Sequence, residues 1–190
     1  MKLLTRRYEE IKKEIKKFFI RYGIDTFPFD PFEICKKMNI ELVKYSTLSL
    51  HAKMKLYATG NSDAVSCIDS NNKIMIFYND IKLPERIRFS LMHELGHIVL
   101  EHLERSAIAE IESNFFAAYS LAPTAIIDYF NPSTPQEIAK RFYVSTECAE
   151  NRMEQYKLWK DKGQYSYYSC DEEFLPLFKD YLQGGEQIAG

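Results

Sequence analysis

Two imidazoles four residues apart, His93 and His97, flank a run that carries a carboxylate at Glu94. In a helix, residues at this spacing lie on one face, so both rings can reach a single metal ion. Glu94 is offset by one position and can lean over that ion to take a proton from its water. The chemistry implied is metal-assisted hydrolysis with Glu94 as catalytic base. The chain has four histidines in 190 residues, and three of them, His93, His97 and His102, fall within ten positions. His102 lies about 140° around a helix from His97 and is left outside the metal shell.

A catalytic zinc takes a third protein ligand and keeps one position open. The extended pattern HExxHxxGxxH is excluded, because Leu100 and Leu103 stand where Gly and His are needed. Glu101 continues the stripe but lies about 12 Å along the helix axis from His93. The next helical segment offers Glu110 and Glu112. Its apolar stripe is Ile108, Ile111, Phe115, Ala118 and Ala122. Glu112 falls on the edge of that stripe, whereas Glu110 points nearly opposite. A carboxylate facing the core must be paired or bind a metal, so Glu112 is the expected third ligand and Glu110 a solvated residue. The expected site is Zn2+ on His93, His97 and Glu112, with no other cofactor.

The elements that must position these groups are legible from periodicity. Leu4, Tyr8, Ile11, Ile15, Phe18 and Tyr22 form an amphipathic stripe ending near Gly23, on a helix with eight Lys/Arg against three Glu over residues 1–22. Asp30 and Pro31 open a short helix through Met38, and Ile40 to Val43 alternates as a strand. Met54 to Ala58, Ala64 to Ile68 and Lys73 to Tyr78 read as further strands. Pro84 opens a long helix expected to reach about His102, and a second runs from about Ser106 to Leu121. Two shorter helices follow, Pro135–Phe142 and Thr146–Trp159. The expected fold is α+β, mostly helical, with a small three- or four-stranded antiparallel or mixed sheet packed on the central HExxH helix. The expected organisation is a catalytic domain over residues 1–130, a helix pair over 131–160, and an acidic, partly ordered tail over 161–190.

Hydrophobic residues make up 46% and charged residues 27%, a balance that excludes a mainly disordered chain. The net charge of −2 gives no global case for nucleic acid or anionic membrane as an obligatory partner. Four cysteines spread singly, with no CxxC pair, argue against a thiolate zinc site and suit reduced thiols. The N-terminal residues carry no apolar signal region, and no apolar run approaches a membrane span, so a cytoplasmic location is expected.

The chain resembles the ImmA/IrrE family of zinc metallopeptidases over about residues 5–158. The resemblance rests on several pieces: the strand Ile74 to Asn79, the run Arg86 to Met92 leading into His93-Glu94-Leu95-Gly96-His97, and Glu110 to Ala118 with Leu121-Ala122-Pro123. Segments around Asp30-Pro31-Phe32 and Ile138 to Ser145 are also similar. The family's usual Glu-Ala-Asn stands here as Glu112-Ser113-Asn114, which adds a hydroxyl. The resemblance implies His93, His97 and Glu112 as ligands and Glu94 as base in a gluzincin-like peptidase. It also implies a helix-turn-helix repressor as substrate, cut to derepress stress or mobile-element genes. A substrate peptide would add as a strand to the edge of the small sheet. Tyr57, Tyr78, Tyr119 and His51 all remain open as the oxyanion stabiliser.

A rival reading makes the chain a DNA-binding or partner-binding regulator that uses the C-terminal helix pair, with zinc structural only. Residues 133–160 carry five Lys/Arg against four Glu, which is no basic stripe, so direct nucleic-acid contact is not expected.

Overall fold

The structure is a computed structural model that describes residues 5–58, 60, 63–161 and 171–185. Helix α1 (Thr5–Tyr22) turns its stripe of Ile11, Ile15, Phe18 and Phe19 inward. It stops at Gly23, whose φ of +63° suits a residue without Cβ, and Ile24 N–H closes back on the Phe19 carbonyl at 2.9 Å. Helix α2 (Pro31–Lys37) starts as its sequence predicts, with the Asp30 side chain accepting from the Phe32 N–H and Pro31 in the first turn.

Three strands form a mixed sheet in the order β1-β3-β2. The first, β1 (Glu41–Lys44), runs parallel to β3 (Ile74–Tyr78), with Leu42 opposite Ile76. The second, β2 (Ala64–Ile68), is antiparallel to β3, with Ser66 opposite Ile76. The fourth strand is not formed. Met54 to Ala58 instead belongs to helix α3 (Leu50–Ala58), which has no buried residue. Its short apolar alternation suggests a strand, but without a buried face it carries no period that would mark either element.

Helix α4 (Pro84–Val99) holds the HExxH run and packs along α5 (Ala107–Leu121), which begins where Ser106 Oγ accepts from the Ala109 N–H. The first of these ends at Val99, three residues before the expected limit. Leu91, Met92 and Leu95 are fully buried against Phe116, Ala117 and the sheet. The buried Arg88 ties α4 down by donating to the Phe29 carbonyl at 2.7 Å and the Tyr143 carbonyl at 3.2 Å. Helix α6 (Thr124–Phe130), not foreseen, follows Pro123 and ends at Asn131 in the left-handed region.

Helices α7 (Pro135–Phe142) and α8 (Thr146–Asp161) bury Ile138, Phe142, Ala149, Met153 and Tyr156 in the same core. Residues 171–185, a 3-10 turn over Asp171–Phe178 followed by α9 (Lys179–Gly185), return to α1. There Phe174 and Phe178 pack edge-on to Phe19 at 5.8 and 5.7 Å. The rest of the predicted acidic tail, residues 162–170 and 186–190, lies outside the described residues. The class is α+β, a helical body carrying one small sheet.

Candidate metal centre

Gly96 sets how closely the two central helices approach. A Cβ placed there would meet the Ser113 Cα at 3.1 Å and the Phe116 side chain at 3.2 Å, so hydrogen at this position lets α5 lie directly against α4. The approach brings three donor groups together. His93 Nε2 and His97 Nε2 are 3.1 Å apart. Glu110 places Oε2 3.2 Å from His93 Nε2 and Oε1 3.4 Å from His97 Nε2.

These separations fit a metal. With zinc–ligand bonds of about 2.0–2.1 Å, atoms at the corners of a tetrahedron stand about 3.3 Å apart. Two imidazoles and a carboxylate are also a donor set that zinc favours. The group His93, His97 and Glu110 is the one cluster of this kind among the described residues. Burial, with His93 alongside, pushes the His97 pKa down to about 4. The ring is therefore neutral near neutral pH, the form in which its lone pair can bind a metal.

Glu112 is not in this group. Its carboxylate accepts a bidentate pair from Arg7 of α1, Nε at 2.7 Å and Nη2 at 2.6 Å, and meets His102 Nε2 at 2.9 Å. The Arg7 hydrogen bonds hold its carboxyl below the usual carboxylate range. Glu112 is buried as expected, and an ion pair compensates its burial. The partner is a guanidinium from a helix more than a hundred residues earlier in the chain. Glu110 and Asn114, four apart, share the face of α5 turned to His93, and Asn114 Oδ1 lies 3.0 Å from His93 Nδ1. That Glu-x-x-x-Asn spacing was the available signal for Glu110. His102 stays out of the donor group but stands directly behind it, its Nδ1 3.1 Å from His97 Nδ1.

Glu94 is almost fully buried. Three donors converge on its Oε2: Ser66 N–H at 2.8 Å, Ser66 Oγ at 2.7 Å and Arg105 Nη2 at 2.6 Å. Arg105 also lies 3.6 Å from Glu110 Oε1. Neither Ser66 nor Arg105 stood out in the sequence, since both are single polar residues on a strand and in a loop. Of the aromatic candidates for an oxyanion stabiliser, Tyr119 is buried and donates its hydroxyl to Asp171 in the core. Tyr78 packs against Phe32, and Tyr57 lies half exposed on α3, against Tyr45.

A peptidase model, the IrrE N-terminal-like domain, matches residues 35–154, from α2 into α8. The chain belongs to this peptidase family. A search of the curated proteins returned no match. Membership in the IrrE-like family makes the chain a metallopeptidase of the ImmA/IrrE type, with protein as its class of substrate. The matched span contains the whole donor group and Glu94, while Arg7 and α1 lie outside it. Among the described residues no helix is long and apolar enough to cross a membrane.

Proposed function

We propose that this IrrE-like protein is a zinc-dependent endopeptidase in which His93, His97 and Glu110, rather than Glu112, hold the metal and Glu94 is the base. The reading is carried by one observation: the three donor groups meet beside a buried carboxylate whose hydrogen bonds fall on Oε2. Zinc bound there would supply Lewis acidity toward a water and a substrate carbonyl. Ser66 and Arg105 fix one side of the Glu94 carboxylate, so Oε1 is the oxygen that accepts the proton of the attacking water. The same oxygen returns it to the departing amine. The edge of β2, which touches Glu94 through Ser66, is where an extended substrate peptide would pair.

The substrate proposed is a helix-turn-helix repressor, cut to relieve repression of stress or mobile-element genes in the cytoplasm. Support for this comes from the resemblance to ImmA/IrrE proteins. The C-terminal helix pair is poorly suited to the rival DNA-binding role. Arg152 is fully buried and donates to the Ala122 carbonyl and Thr124. Arg141 stacks 3.6 Å from the Phe130 ring centre, and Lys160 pairs with Asn131 and Asp128. Few cations are left to meet phosphates.

The test incubates zinc-loaded protein with candidate helix-turn-helix repressors, starting with any encoded beside its gene. Wild-type protein is expected to cut one of them, and Glu94→Gln to retain zinc but lose cleavage by at least about 100-fold. Equal cleavage by Glu94→Gln would overturn the assignment of the base.

A further inference from the structure

Behind the donor group, four side chains from three parts of the chain form a continuous line: His97, His102, Glu112 and Arg7. His97 Nδ1 is 3.1 Å from His102 Nδ1, His102 Nε2 is 2.9 Å from Glu112 Oε2, and Arg7 grips both Glu112 oxygens. We propose that Arg7, Glu112 and His102 are positioning residues that lock His97 as the tautomer protonated on Nδ1, so that its Nε2 lone pair faces the metal position. The inference rests on the ligand reading above.

The proton order follows from donor counting. Glu112, ionised against a bidentate guanidinium, only accepts, so His102 donates from Nε2. At mildly alkaline pH an imidazole is neutral and carries one N–H, which leaves His102 Nδ1 as an acceptor. Its nearest donor is His97 Nδ1, with the Ser113 hydroxyl farther off at 3.3 Å. Holding the proton on Nδ1 frees His97 Nε2 to be a ligand. His93 has a single-step version of the same device in Asn114. The consequence is that α1, outside the span matched by the family model, belongs to the metal centre through Arg7.

Two readouts on the full chain test this. Long-range 1H–15N spectra of metal-free wild-type protein at mildly alkaline pH should find His97 protonated on Nδ1 and His102 on Nε2. His97 found protonated on Nε2 overturns the relay, with no variant needed. Zn2+ affinity, measured by competition with a chromophoric chelator, should fall about 10-fold to 100-fold in Arg7→Met and His102→Ala. The neighbouring Arg6→Met, whose partner is the exposed Glu10, should bind as wild type does. Undiminished affinity in folded Arg7→Met and His102→Ala also overturns the relay. Wild-type protein that takes up no zinc overturns the ligand reading instead, and the metal-free spectra then still decide the relay.

Discussion

As the proposed base, Glu94 has to be correctly aimed while almost fully buried, a combination that needs partners. Ser66 and Arg105 provide them, and because all three hydrogen bonds reach Oε2, the carboxylate is oriented without blocking its other oxygen. Arg105→Met should therefore lower kcat by about 10-fold to 100-fold with little change in KM, while zinc stoichiometry stays at wild type. Steady-state kinetics on a cleaved repressor would check it, and a rise in KM alone would contradict it. Glu112 teaches a related point. Its helical phase correctly marked it as buried, but burial demands compensation without naming the compensating group. A guanidinium satisfied it, and the exposed-looking Glu110 was left to face the histidines.

At the level of elements, the centre depends on the α4–α5 contact, and that contact depends on Gly96. In Gly96→Ala the new methyl would press on the Ser113 backbone at 3.1 Å, where there is no flexible chain end to move aside. Parting the helices carries Glu110 away from the histidine pair. The variant should lose about 1–3 kcal/mol of stability and bind zinc more weakly, read by denaturant titration and chelator competition. A variant as stable and as avid as wild type would show that the helices do not rely on this close approach. Elements with a buried stripe or a capping signal were legible in the sequence: α1, α2, α7, the start of α5 and the strands β2 and β3. The errors fell on short helices with no periodic apolar stripe to read. Helix α3 buries nothing, and α6 is a seven-residue helix squeezed between Pro123 and the left-handed Asn131.

At the scale of the whole fold, α1 and residues 171–185 close on each other. Lys12 of α1 meets the fully buried Asp171 at 2.6 Å, and Phe174 and Phe178 complete the aromatic core around Phe19. Pairs such as Arg7–Glu112 and Lys12–Asp171 join residues 105 and 159 positions apart. Local periodicity carries no information about such pairings, so His93, Glu94 and His97 were readable from one helix, whereas the groups supporting them were not. Zinc binding by wild type, Glu110→Gln and Glu112→Gln decides whether the proposed metal site is His93, His97 and Glu110. Wild type should bind one zinc per chain, Glu112→Gln should still saturate at one with affinity lowered about 10-fold to 100-fold, and Glu110→Gln should fall further, beyond about 100-fold. Loss of the metal in Glu112→Gln with tight binding kept in Glu110→Gln would contradict it.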